Sequence, residues 1–320
     1  MREALKAPFP WFGGKSRAAE LIWDRFGDPQ NYVEPFAGSL AVLLRRPTAA
    51  VTETVNDKDC YVANFWRALS TAPEQVAAAA SWPVNEADLH SRHLWLVHQA
   101  EFRERMKTEP EYFDVRIAGW WVWGISQWIG GGWCSKLGAE PGKTRPALSG
   151  KGMGVVSPRL ARSIPNIGGT GQGIHGKTEM LAWFEALRNR LRNVRVCCGE
   201  WHRILGPSPT VGLGTTAILL DPPYSAEAGR DPNLYGVEDL NVAHEVRQWA
   251  IEHGDHPDLR IALCGYEGEH ALPDGWECVE WKANGGYGNQ GQGTGRANSR
   301  RERVWFSPHC LRPMSLFAGF

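Results

Sequence analysis

The stretch Ala217-Ile218-Leu219-Leu220-Asp221-Pro222-Pro223-Tyr224 decides how this chain is read. Four apolar residues make a strand that stops abruptly at Asp221. Neither proline can donate a ladder hydrogen bond, so pairing cannot continue past that point. The prolines also stiffen the backbone just beyond the strand's C-terminal end, which is where ligands bind in open α/β sheets. The result is a rigid spur presenting a carboxylate, a carbonyl and an aromatic ring together.

Upstream of the spur, Ala18–Phe26 reads as a short amphipathic helix and Tyr32–Glu34 as a strand. That strand runs into the loop Pro35-Phe36-Ala37-Gly38. Ser39–Arg46 reads as a helix, and Val51–Val55 as a second strand ending at Asn56-Asp57. Strand, Gly-containing turn, helix, strand and acidic residue is the order of a nucleotide-binding α/β half. Further strands are expected at Val194–Cys198, Arg260–Cys264, Glu277–Trp281 and Arg303–Phe306, with a helix at Val242–His253. Between the two α/β portions lie helical stretches at Tyr61–Leu69, Pro73–Ala80, Glu86–Lys107 and Glu179–Leu191. A Trp-rich segment, Gly119–Trp123, and a Gly- and Pro-rich basic stretch, Lys136–Lys177, interrupt them. The expected organisation is one parallel-rich sheet domain made of residues 1–57 and 192–320. Residues 58–191 are too long for a loop and are expected to form an inserted, mostly helical domain.

The 320 residues are 42% hydrophobic and 22% charged, which suits a folded globular chain rather than a disordered one. No apolar run approaches the roughly 20 residues of a membrane span. The seven cysteines include no C-x-x-C pair, so neither a zinc ribbon nor a disulfide framework is expected, and no metal site is assigned. A reducing cytoplasm is the expected setting. Lys plus Arg balance Asp plus Glu, so any polyanion site must be local. One such site is suggested between Lys143 and Arg203, where eleven Lys and Arg stand against three Glu, a local charge of +8. Arg159, Arg162 and Lys177 fall in it, and Arg300 and Arg301 belong to a second basic cluster near the C-terminus. Both clusters suit contacts with phosphates. Gly14-Lys15-Ser16 resembles the tail of a phosphate-binding loop, but Phe9 stands where that loop needs Gly.

The order of several short motifs is more specific than any one of them. Pro10-Trp11-Phe12-Gly13-Gly14-Lys15, Tyr32–Leu40, Val55-Asn56-Asp57, Val194–Trp201, the Asp-Pro-Pro-Tyr box and Arg300–Trp305 follow one another along the chain. In these the sequence resembles the Dam-type (D12 class) DNA adenine methyltransferases. The resemblance implies a Rossmann-like methyltransferase sheet with an inserted target-recognition domain. It implies S-adenosylmethionine as cofactor and N6 of a flipped-out adenine in double-stranded DNA as target, in a bacterial cell or a phage-infected host. A cognate restriction endonuclease is a further partner that such enzymes have.

On this resemblance, Trp11, Lys15, Glu34, Phe36, Gly38, Asp57, Glu200, Trp201 and Asp221 are expected at the cofactor. Asp221, Pro222, Pro223 and Tyr224 are expected to carry the chemistry. An adenine amino group is a poor nucleophile because its lone pair is delocalised into the ring. Acceptors on its two N–H bonds, the Asp221 carboxylate and the Pro222 carbonyl, would localise that pair, while the Tyr224 ring holds the base. Cytosine-N4 methylation uses the same amino chemistry and is the alternative, as is a catalytically silent DNA-binding relative. Cytosine-C5 chemistry needs a nucleophilic Cys, usually after Pro, and no Cys here follows one. Asp57 also fits an ordinary helix N-cap. Leu40 stands where many relatives have a second Gly, and Glu200 where they have Asp.

Overall fold

The computed structural model describes residues 5–9, 11, 13–48, 51–83, 85–128, 133–134, 177–225, 241–282 and 300–312. Among these, seven strands form one sheet. They are β1 (Asn31–Glu34), β2 (Thr52–Asp57), β3 (Val194–Cys198), β4 (Thr216–Leu220), β5 (Leu259–Tyr266), β6 (Glu277–Glu280) and β7 (Glu302–Phe306). Their spatial order is β3-β2-β1-β4-β5-β7-β6. The first five are mutually parallel, and β7 runs antiparallel between β5 and β6. This is a Rossmann-like, mostly parallel sheet. The direction of β7 is a tertiary result that its own sequence does not disclose.

The helices are α1 (Ala19–Phe26), α2 (Cys60–Thr71), α3 (Pro73–Ala80), α4 (Glu86–Val97), α5 (Ala100–Thr108), α6 (Val115–Gln127), α7 (Lys177–Leu191) and α8 (Val242–His253). Alternating side chains of the central strands divide between two apolar clusters, as a period of two requires. Tyr32, Ala217, Leu219, Ala262 and Cys264 face one side, where α1, α2, α3, α6 and α7 pack. Val33, Ile218, Leu220, Ile261 and Leu263 face the other, beneath α8 and the turn Trp201–Leu205. Covering on both faces explains why β4 is apolar throughout and wholly buried.

The described part of 58–191 shares the first cluster with the sheet. One bidentate pair holds α7 to β2, from Arg190 Nη1 and Nη2 to the Glu53 carboxylate at 2.6 and 2.8 Å. Side-chain caps start three helices: Asp59 accepts Tyr61 N, Asn85 accepts Asp88 N, and Asp114 accepts Ile117 N, each at 2.8 Å. The Trp-rich segment lies in α6, whose Gly119 lets the helix approach α3; a Cβ there would overlap Ala79.

Two expected elements differ. Ser39–Arg46 is not an α-helix but a turn followed by one 3-10 turn at Leu43–Arg45. The cause is Leu40, whose φ of +53° breaks the right-handed helical path while its side chain is fully buried. Glu86–Lys107 is two helices, not one. At the break, carbonyls are taken by side chains, Leu94 O by His98 Nδ1 at 2.6 Å and Trp95 O by Gln99 Nε2 at 2.8 Å. Strand β6 also ends one residue earlier than expected, at Glu280.

Candidate active site

The sheet changes direction of travel at β1: the chain goes from there to β2 and β3 on one side, and returns to β4 on the other. A crevice outside the C-terminal ends of the strands opens at such a switch point. Here it is a cleft of about 950 Å³, counted out to its open mouth. Each adjoining strand delivers residues to it: Glu34 from the end of β1, Asp57 from the end of β2, Glu200 and Trp201 from just after β3, and Asp221 and Pro223 from just after β4. Trp11, Gly13, Gly14 and Lys15 close it from the N-terminal segment, and Phe36, Ala37 and Gly38 line it from the loop after β1.

Backbone bonds stitch these loops together. Ala37 N donates to Asn56 O at 2.9 Å, and Gly199 N to Asp57 O at 3.1 Å. The Asn56 amide reaches Pro35 O at 3.1 Å and Gly199 O at 2.9 Å. From α2, Trp66 Nε1 donates to Gly38 O at 2.8 Å. Gly38 has a positive φ of +45°, and a Cβ there would run into the Trp11 indole, so both conformation and space favour glycine.

The Asp57 carboxylate accepts Gly38 N at 2.9 Å and Asp59 N at 2.8 Å. It does not cap α2; Asp59 does. Burial, and then the neighbouring Asp59, push Asp57 up to about 7 against the pull of those two N–H groups. Glu34 accepts the Tyr32 hydroxyl at 3.0 Å, and burial pushes it well above the usual carboxylate range. Glu200 is half-exposed and pairs with Lys58 at 3.0 Å. Trp201 is buried and lies face to face with Phe36, centroids 6.2 Å apart. Carboxyl groups thus outnumber cations on the cleft wall, which suits a ligand rich in hydroxyl and amino donors. The stacked Phe36 and Trp201 provide an apolar flank.

At the inner end, Lys15 is 3% exposed. Its ammonium lies 2.9 Å from Asp221 Oδ1 and 3.9 Å from Glu302 Oε2, and donates to Gly13 O at 2.7 Å. Burial disfavours that charge, but Asp221 and Glu302 more than offset it and raise the group above an ordinary lysine. Burial raises Asp221, while Lys15 and the Tyr224 hydroxyl pull it back. Tyr224 is buried. Its hydroxyl donates to Glu302 Oε2 at 2.8 Å, and its ring meets Tyr266 edge-on at 4.6 Å.

All nine residues expected at the cofactor line this cleft, and one of them, Asp221, also belongs to the catalytic box. Pro223 also lines it, Pro222 is buried beside it, and Tyr224 lies behind the wall. Sequence reasoning missed Glu302, Asn56 and Trp66. Glu302 was legible only as part of a closing strand, because nothing local says that an edge-side strand returns its carboxylate beneath the spur.

The structure separates the expected DNA contacts. Arg159 and Arg162 lie outside the described residues, and Lys177 is the first residue of α7. Arg300 is exposed, and the Arg301 guanidinium sits over the Tyr266 ring at 5.1 Å. Arg190, counted in the basic stretch, is committed to Glu53, and Arg203 donates to Cys198 O at 3.1 Å. Part of that positive charge therefore holds the fold together.

Among the described residues, no helix is long and apolar enough to cross a membrane. No curated protein matches the chain. Residues 11–117 match the family model described as D12 class N6 adenine-specific DNA methyltransferase, a span that runs from Trp11 through β1, the Gly38 loop and β2 into α6. The matched third of the chain is thus similar to the D12 class of N6 adenine-specific DNA methyltransferases, and the Asp-Pro-Pro-Tyr box, outside the matched span, is set at the same cleft.

Proposed function

We propose that the cleft at the ends of β1–β4 is the S-adenosylmethionine site and that Asp221, Pro222, Pro223 and Tyr224 hold the target adenine beside it. The observation that carries this reading is the convergence of four strand ends on one acidic cleft with the Asp-Pro-Pro spur at its inner end. The residues fit the cofactor chemically: carboxylates for a sulfonium and for ribose hydroxyls, and the Phe36–Trp201 pair for an adenine ring. Asp57 and Glu200 take the ribose end, Trp201 and Phe36 flank the base, and Trp11, Glu34 and Gly38 face the remainder. When bound, the cofactor supplies an electrophilic methyl group.

The chain's own part is to position and polarise. Asp221, whose carboxylate charge Lys15 favours against the effect of burial, accepts one N6–H and the Pro222 carbonyl accepts the other. The nitrogen lone pair is thereby localised for in-line attack on the methyl carbon, whose bond to sulfur would break as the N–C bond forms, with S-adenosylhomocysteine as the leaving group and the surplus N6 proton passing to the Asp221 carboxylate or to solvent. Positioning of this kind can supply roughly 7–11 kcal/mol. Tyr224 holds the base, which in double-stranded DNA must first leave the stack.

Residues 1–57 and 192–320 are the catalytic unit in this reading, and 58–191 reads the target. Arg159, Arg162, Lys177, Arg300 and Arg301 meet phosphates. The cytoplasm of a bacterial or phage-infected cell is the setting, with a cognate endonuclease as a further partner. The test is transfer from methyl-labelled cofactor to mixed-sequence duplex, with digestion to nucleosides. Label in 6-methyladenine, lost in Asp221→Asn with S-adenosylhomocysteine affinity retained, supports the reading. Label in 4-methylcytosine, or normal turnover by Asp221→Asn, overturns it.

A further inference from the structure

Three elements distant in sequence meet on the Tyr224 ring. The N-terminal segment places the Lys15 ammonium over it at 5.2 Å. Strand β5 brings Tyr266 edge-on at 4.6 Å. Strand β7 brings Glu302, 5% exposed, whose Oε2 accepts the Tyr224 hydroxyl at 2.8 Å and lies 3.9 Å from Lys15. We propose that Glu302 is a positioning residue for methyl transfer: through the Tyr224 hydroxyl it fixes the plane of the ring that holds the target base. The inference rests on the reading of Tyr224 as the base-holding group.

The chemistry of the pair fixes the role of each partner. An ionised carboxylate only accepts, so the Tyr224 hydroxyl is the donor; it donates to Glu302 Oε2 at 2.8 Å and also bears on Asp221. Lys15 supports that state. Burial works to protonate Glu302, and the adjacent ammonium and the tyrosine hydroxyl work against it. The same ammonium pairs with Asp221, so one buried cation registers the acceptor for the amino group and the ring for the base against each other. Hydrogen bonds to charged groups are worth roughly 1.5–3 kcal/mol, and a misplacement of about 1 Å near reacting atoms can cost about a hundredfold in rate. A buried carboxylate on β7 is otherwise an expensive residue to keep.

The experiment compares Glu302→Gln, Glu302→Leu, Tyr224→Phe and the Tyr224→Phe/Glu302→Leu double variant, using labelled methyl transfer to mixed-sequence duplex and calorimetry with S-adenosylhomocysteine. Glu302→Gln keeps an acceptor for the hydroxyl and is expected to stay within about threefold of wild-type kcat. Tyr224→Phe keeps the ring but not its tether, and is expected to lose about tenfold or more. Glu302→Leu is expected to lose a similar factor, the double variant to lose no more than either single change, and affinity for S-adenosylhomocysteine to hold throughout. As a readout on the free protein, fluorotyrosine labelling should give one sharp Tyr224 resonance in wild type and Glu302→Gln, and a broadened or shifted one in Glu302→Leu. Wild-type kcat in Tyr224→Phe, or losses that multiply in the double variant, overturn the inference. If Glu302→Leu does not fold, Tyr224→Phe and the Glu302→Gln spectrum still decide it. Absence of transfer by the wild type would instead sink the functional reading beneath it.

Discussion

The Gly38 N–H donates to the Asp57 carboxylate at 2.9 Å, tying the loop after β1 to the end of β2 inside the cleft. That bond makes the loop and the acidic residue one unit, so a change at Asp57 acts on both. Asp57→Asn keeps the shape but can accept only one of the two N–H groups with its single carbonyl. Affinity for S-adenosylhomocysteine should weaken by roughly 1.5–3 kcal/mol if the carboxylate also takes a charge-assisted bond from the ligand. Calorimetry with unchanged affinity would remove Asp57 from the cofactor site.

The same residue makes a prediction about pH. Its folded-state pKa, pushed up to about 7, lies above the ordinary value of 3.8. The folded chain therefore binds a proton that the unfolded chain releases between those values. The stability this gives is complete below 3.8 and is lost as pH rises through about 7. Asp57→Asn does not titrate, so its melting temperature relative to wild type should climb from pH 5 to pH 8. A constant difference over that range means that Asp57 keeps an ordinary carboxylate pKa.

Leu40 combines a φ of +53° with complete burial. Replacing it by Ala removes core volume and should cost about 2–5 kcal/mol in urea unfolding. Leu40→Gly loses the same contacts but relieves a left-handed conformation that costs roughly 1–2 kcal/mol for other residues. The Gly variant should thus be at least as stable as the Ala variant, the reverse of the usual order. Finding the usual order would show that the turn rearranges when the side chain is lost.

Arg190 separates structural from DNA-facing charge. Arg190→Met strips Glu53 of its bidentate partner and should destabilise the fold by on the order of 3 kcal/mol. The salt dependence of DNA binding should be unaltered at temperatures where the variant is folded. A flatter salt slope would show that this guanidinium also meets phosphate.

Arg159→Ala/Arg162→Ala should weaken DNA binding and spare cofactor affinity. If both arginines meet only phosphates, cognate and scrambled duplexes lose affinity alike, and the salt slope flattens by about one unit per lost contact. If either reads a guanine, the loss concentrates on the preferred site by roughly 1–3 kcal/mol. No change on either duplex moves the DNA surface elsewhere, first to Arg300 and Arg301.

Local rules alone established the α/β class, a parallel-rich sheet and the place of the spur. An apolar run closed by Pro-Pro must be a strand with a ligand-side end. Gly38 marks a loop that admits no side chain, and Asp57 follows a strand as cofactor-gripping acids do. The tertiary structure decided what depends on partners far away in the chain. It assigned the cap of α2 to Asp59 rather than Asp57, because only one of the two carboxylates reaches Tyr61 N while the other meets Gly38. It turned Ser39–Arg46 from a helix into a turn, because burying Leu40 against the core outweighs local helix preference. It spent Arg190 on Glu53, and it brought Glu302 from β7 and Lys15 from the first segment to a tyrosine between them in sequence. Hydrophobic period and backbone sterics are written residue by residue. The pairing of buried charges is fixed only when the sheet has closed and each charge must find its counter-ion away from water.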